Sequence, residues 1–232
     1  MAADPIFDRE ESLRKRLNAF LSSSFELPEH DYYSRLNAEA FLGLNVQPRP
    51  PLLLIVDFQV GLNSPEYGRR NNASAGTNIS LLLARWRSLD WPVVFTRHTS
   101  SRVGSPLAFG SPGREIEPGL QPRPSERVFD KRTNSAFKAP GFVEYVQAIG
   151  PAEVVIVGVA TDACVTASAR EAKDLGYKVT VVADACATFE RPGRNEVYAA
   201  ELVHSVSLSA LAASGIAVPN TAELLASIES AA

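Results

Sequence analysis

Two stretches of this chain contain no polar side chain: LLLIV at 52–56 and VVIVGV at 154–159. A strand with one face in water alternates apolar and polar residues, so a run that is apolar at every position reads as a strand covered on both faces. Such strands belong to parallel sheets sandwiched between helices. Three further strand-length runs follow the same logic: PVVFTRH at 92–98, RVFDK at 127–131 and YKVTVVAD at 177–184. Apolar residues recur at helical spacing between them, over 76–89 (with Thr77 or Asn78 as cap), 141–150 and 163–175. Helical spacing returns after the last strand over 195–213 and 223–229. Strands alternating with helices predict a three-layer α/β/α domain with a parallel sheet and right-handed crossovers.

The first 45 residues have a different character. Leu13, Leu17, Phe20 and Leu21 share helical spacing, a second short helical candidate covers 32–44, and three prolines within 45–51 then break the period. This predicts a helical arm over 1–45 and one α/β domain over 46–232, the arm packing on its own domain or on a second subunit. The formal net charge of -3 comes with no basic block, which argues against nucleic acid as a partner. No apolar run approaches the roughly 20 residues of a membrane helix, and the charged start does not read as a secretory signal. Two cysteines do not make a disulfide framework. The expectation is a cytoplasmic protein with reduced thiols.

Ligands of open α/β sheets bind outside the carboxyl ends of the strands. Asp57, Lys131 and Cys164 lie at or just past three such ends, and one sheet rim can gather all three. A thiolate is the nucleophilic form of cysteine. The first turn of a helix and a neighbouring lysine both favour it, and Asp57 is placed to exchange the thiol proton. Backbone N–H groups of GVATDAC would serve a developing oxyanion. Together these predict acyl transfer through a thioester. Each residue also has a plain structural reading: a loop aspartate, a solvated lysine, an inert buried thiol. Cys186, after VVADA, is read in that last way.

LLLIVDFQVGL, VFDKRTNSAF, VVIVGVATDACVTASAREAKDLGYKVTVVADAC and AAELVHSVSLSAL, in this order, resemble the isochorismatase-like cysteine hydrolases. That superfamily includes nicotinamidases and N-carbamoylsarcosine, maleamate, biuret and ureidoacrylate hydrolases. The resemblance implies a Rossmann-like sheet of six parallel strands and an Asp57–Lys131–Cys164 triad. It also implies a non-proline cis peptide at Val159–Ala160, with the N–H groups of Ala160 and Cys164 as the oxyanion hole. Nicotinamidases of the family carry an Asp-x-His and a further His as metal ligands. Here FTRHTSSRVGSP offers His98 alone, so no metal and no cofactor is expected.

The stretch 99–126 is too long for an idle connection, and the resemblance makes it the pocket wall. Arg97, His98 and Arg102 at its start are substrate-binding candidates for a carboxylate or ureido group. Gln59, Asn134 and Phe137 join them, while His204 and Asp184 read as structural. The predicted activity is hydrolysis of a small non-peptide amide or ureide. The alternatives are vinyl-ether hydrolysis with Asp57 as acid, a silent interaction protein and a redox-sensing thiol. A homo-oligomer, dimer or tetramer, is the expected assembly.

Overall fold

In the computed structural model, residues 49–230 are described, and the arm predicted over 1–45 lies outside them. Residues 49–174 and 178–230 belong to one compact unit. Five parallel strands make its sheet: β1 (Leu52–Val56), β2 (Val93–His98), β3 (Arg127–Lys131), β4 (Val154–Val159) and β5 (Val179–Ala187), in the order β3-β2-β1-β4-β5. The two all-apolar runs sit side by side at the centre, with Leu54 in register with Val94 on one flank and Ile156 on the other. Every residue of β1 and β4 is buried, as covering on both faces requires. The strand order reverses between β1 and β4, which opens a crevice at their carboxyl ends.

The helices are α1 (Ala75–Ser88), α2 (Phe142–Ile149), α3 (Thr166–Asp174), α4 (Ala200–Ala213) and α5 (Thr221–Ser230). α1 turns Ala75, Ile79, Leu82, Leu83 and Trp86 to the core, where they meet Leu53, Ile55, Val155 and Val157. Its cap position is Ser74, not Thr77 or Asn78. Asn78 is instead spent on the sheet, its Nδ2 donating to the Asp184 carbonyl at 2.9 Å. Among the described residues no helix is long and apolar enough to cross a membrane.

Three expectations are corrected. The sheet has five strands among the described residues, not six. Residues 216–219 run beside β5 but form a single parallel bridge, Thr180 with Ala217. Pro219 accepts from the Ala183 N–H at 2.8 Å but has no N–H to return. Two residues later Thr221 opens α5, its N–H and hydroxyl both donating to Asp184 Oδ1 at 2.7 Å. The helix predicted from 195 begins only at Ala200, because a short hairpin, β6 (Arg191–Pro192) with β7 (Val197–Tyr198), precedes it. Finally, Cys164 lies not in an α-helix but in a π-helical turn, Thr161–Val165, that leads into α3.

Candidate active site

Asp57 follows β1 with a left-handed backbone, φ 49°, which lets the chain leave the sheet while the carboxyl group stays at its rim. Lys131 is the last residue of β3, paired across the ladder with His98 at the end of β2. Beyond β4 the Val159–Ala160 peptide is cis, and the π-helical turn then brings Cys164 round to the same rim. One glycine is indispensable here. Gly158 has φ 128°, and a Cβ on it would lie 2.0 Å from the Val56 carbonyl oxygen, so only glycine lets β4 lie against β1 at this point.

The three side chains meet. Lys131 Nζ donates to Asp57 Oδ2 at 2.5 Å, to the Thr133 carbonyl at 3.0 Å and to Cys164 Sγ at 3.4 Å. An ammonium has three protons, and these contacts account for all of them. Asp57, Lys131 and Cys164 are 1%, 2% and 9% exposed, so their interactions are little screened. The other carboxylate oxygen, Asp57 Oδ1, accepts from the Thr96 hydroxyl at 2.8 Å. Ser168 ties two loops together, donating to the Cys164 carbonyl at 2.7 Å and accepting from the Ala136 N–H at 2.9 Å.

A neighbouring lysine by itself would make the thiol acidic, and the resting site does the reverse. Burial, and then the Asp57 carboxylate, push the Cys164 thiol up to about 12 against the opposing pull of Lys131. The ammonium sits nearer the carboxylate than the sulfur, so its charge is largely answered by Asp57. Cys164 therefore rests as a neutral S–H with a base beside it. His98 is held neutral chiefly by its burial, and its Nδ1 is buried without a partner.

A cavity of about 300 Å³ opens over the thiol. Leu62, Tyr67, Leu107 and Phe189 form its apolar wall, and Ala160 and Cys164 lie at its floor. Of the six substrate-side candidates, His98, Arg102 and Asn134 line it, Arg102 with its guanidinium paired to Glu66; the other three do not line it. Arg97 points across to Asp130, with Nε at 2.9 Å, and to Glu115. Gln59 pins the post-β1 loop, accepting from the His98 N–H at 2.8 Å and donating to the carbonyls of His98 and Arg114. Phe137 is buried edge-to-face against Phe142.

Sequence reasoning overlooked Arg191, which lines the cavity and holds Asp162 by two bonds of 2.8 and 3.0 Å. Burial would raise the Asp162 carboxyl, yet Arg191 and Thr188 hold it below the usual range. The signal that could have found the hairpin delivering Arg191 is the turn dipeptide Pro192-Gly193. Thr96 was readable, since it lies two residues before His98 on β2 and so shares its face.

Asp57, His98 and Cys164 each place one potential ligand atom within 4.8 Å of the others. They do not fit a divalent cation, because Lys131 Nζ already contacts two of the three and a second cation there would face the ammonium at close range.

The isochorismatase domain model matches residues 51–223. The isochorismatase family protein YrdC of Bacillus subtilis is 32% identical over 160 residues, covering 68% of this chain and 86% of YrdC. Streptothricin hydrolase of Streptomyces noursei is 32% identical over 62% of this chain, which spans about half (52%) of that protein. Nicotinamidase 3 of Arabidopsis thaliana is 32% identical over 59% of this chain and 73% of its own length. Among solved structures, a hydrolase of the isochorismatase family from Chromobacterium violaceum superposes with a TM-score of 0.75 at 34% identity, over 80% of this chain and 96% of that one.

Proposed function

The chain belongs to the isochorismatase-like hydrolase family, and from that premise we propose that it is a cysteine amidohydrolase acting on a small non-peptide amide or ureide. The observation that carries this reading is the single ammonium, Lys131 Nζ, in contact with both a buried carboxylate and a buried thiol. That arrangement suits nucleophilic catalysis by sulfur with proton exchange through Asp57. The likeness to nicotinamidase 3, an amidase by name, supports the amide. The cavity volume supports a small substrate.

In the proposed reaction Asp57 takes the thiol proton as Sγ bonds to the substrate carbonyl carbon. The carbonyl oxygen becomes an oxyanion facing the N–H groups of Ala160 and Cys164. Lys131 balances the negative charge that moves between sulfur and carboxylate. Collapse of the tetrahedral species breaks the C–N bond, and the protonated Asp57 passes its proton to the leaving nitrogen. A thioester on Cys164 remains. Water then attacks the thioester, Asp57 takes a proton from it, the C–S bond breaks, and the sulfur recovers its proton as the acid leaves. Because the thiol rests protonated, the nucleophile forms chiefly as substrate arrives, which slows the reaction of the idle enzyme with other electrophiles.

The test is ammonia release from nicotinamide, maleamate, biuret, N-carbamoylsarcosine and ureidoacrylate, on wild type and Cys164→Ala with chelator present. Turnover that chelator leaves unchanged and that falls by about 10³-fold or more in Cys164→Ala is the expected result. Amide turnover that survives the substitution would overturn the reading and favour hydrolysis with Asp57 as acid.

A further inference from the structure

The nucleophile turn faces the cavity on one side, so whatever braces it must come from behind. Its own backbone closes the turn on itself, the Thr166 N–H reaching the carbonyls of Ala163 and Thr161. The N–H groups of Ala163 and Val165 share one acceptor, the Ala160 carbonyl, at 3.0 and 3.1 Å, and the Thr166 hydroxyl closes on the Thr161 carbonyl at 2.5 Å. Thr161, fully buried, is the first residue of the turn and stands between Ala160 and Cys164. Its hydroxyl lies 2.8 Å from Nδ1 of His204, a buried side chain of α4.

We propose that His204 is a positioning residue: its Nδ1 accepts the Thr161 hydroxyl proton and holds the 160–164 backbone at the depth where Sγ meets Asp57 and Lys131. The inference rests on the proposed amidohydrolase reading, in which Cys164 is the nucleophile. The neighbours of the ring decide its tautomer. Asn72 Nδ2, 3.4 Å from His204 Nε2, spends its two protons on the carbonyls of Cys186 at 2.7 Å and Ala183 at 3.2 Å. It has none left for the ring. The Ala183 carbonyl is also bonded to the ring, and we accordingly place the proton on Nε2 and the lone pair on Nδ1. A neutral histidine fixed in this way is an acceptor for Thr161.

The ring is placed by the sheet as well as by α4, because the Ala183 carbonyl beside it belongs to β5 and is itself bonded by the Asn72 amide. No residue of α4 lines the cavity. His204 therefore acts on the reaction only through Thr161, and its loss should leave substrate contacts intact while the nucleophile drifts. Misplacing a reacting group by about 1 Å can cost on the order of 10²-fold in rate.

The experiment compares His204→Phe, His204→Asn, Thr161→Val and the double variant His204→Phe/Thr161→Val. Asparagine puts a carbonyl oxygen near the place of Nδ1, whereas phenylalanine keeps only the ring. Two readouts are taken: kcat and KM on whichever amide of the panel is turned over, and the rate at which iodoacetamide alkylates Cys164, followed by peptide mass spectrometry. Expected are a fall in kcat of about 10-fold or more with KM unchanged in His204→Phe and Thr161→Val, a parallel slowing of alkylation, recovery to within about threefold in His204→Asn, and a double variant no worse than either single.

Wild-type rates in Thr161→Val, His204→Asn as slow as His204→Phe, or additive losses in the double variant would each overturn the proposal. If His204→Phe fails to fold, Thr161→Val and His204→Asn still decide it. If the wild type turns over no amide, the amidohydrolase reading falls, and the alkylation rates still test the bond.

Discussion

Lys131 is one ammonium serving two acidic groups, and the consequences of removing either differ in kind. Asp57 raises the Cys164 thiol by its charge. Asp57→Asn removes that charge and leaves the ammonium facing sulfur alone. The thiol of Asp57→Asn is therefore expected to become more acidic and to be alkylated by iodoacetamide faster than wild type at pH 8, even as amide turnover is lost. A parallel loss of both properties would show that Asp57 is needed for thiolate formation itself. Lys131→Met does the opposite, stranding a buried carboxylate without its cation. Breaking a buried pair in this way costs about 3–5 kcal/mol, measurable as a lowered denaturant midpoint at unchanged slope. The place of the three residues at strand ends was legible in the sequence; the protonation of the thiol was not, because burial and charge are sums over neighbours distant in sequence.

Elements place these residues, and two junctions carry the precision. Gly158 is where β4 shifts register against β5 and where β1 leaves no room for a Cβ. Gly158→Ala is expected to cost about 3 kcal/mol or more, seen as a large drop in thermal midpoint or as failure to fold. The second junction anchors the end of the long wall loop. Arg87 of α1 donates through Nε to Glu126 Oε1 at 2.8 Å and through Nη2 to Oε2 at 2.6 Å, just before β3. Burial alone would raise the Glu126 carboxyl, but bonds from Arg87 and the Arg123 N–H hold it below the usual range. A carboxyl depressed on folding stabilises the native state above its unfolded value and loses that contribution as pH falls through the lower folded value. Glu126→Gln should flatten the acid limb of stability against pH below about 4.5, as measured by urea denaturation across that range. The strands were legible because apolar runs of strand length have few other uses. The missing ladder of the sixth strand and the late start of α4 were not, since each depends on hydrogen bonds to residues far along the chain.

At the scale of the whole molecule, two thiols are buried where water cannot solvate a thiolate. Burial pushes both Cys164 and Cys186 from 9.0 up to about 12. The unfolded chain therefore releases these protons at lower pH than the folded one, so the folded state holds more protons between the two values and stability falls as pH rises. Thermal stability is expected to decline above about pH 9, and Cys186→Ala to decline less steeply, at the cost of a small cavity in β5. Equal slopes would assign the alkaline loss to other groups.

The sequence by itself determined the sheet class, the central strands and the strand ends at which Asp57, Lys131 and Cys164 lie. All of these follow from local periodicity and from the rule that parallel strands present their carboxyl ends to ligands. Tertiary structure alone decided that Lys131 divides its protons between carboxylate and sulfur, that Arg97, Gln59 and Phe137 turn away from the cavity while Arg191 joins it, and that His204 stands behind Thr161. Side-chain direction, burial and hydrogen-bond partners are set by contacts between residues tens of positions apart, and a linear pattern carries no record of which of them will meet.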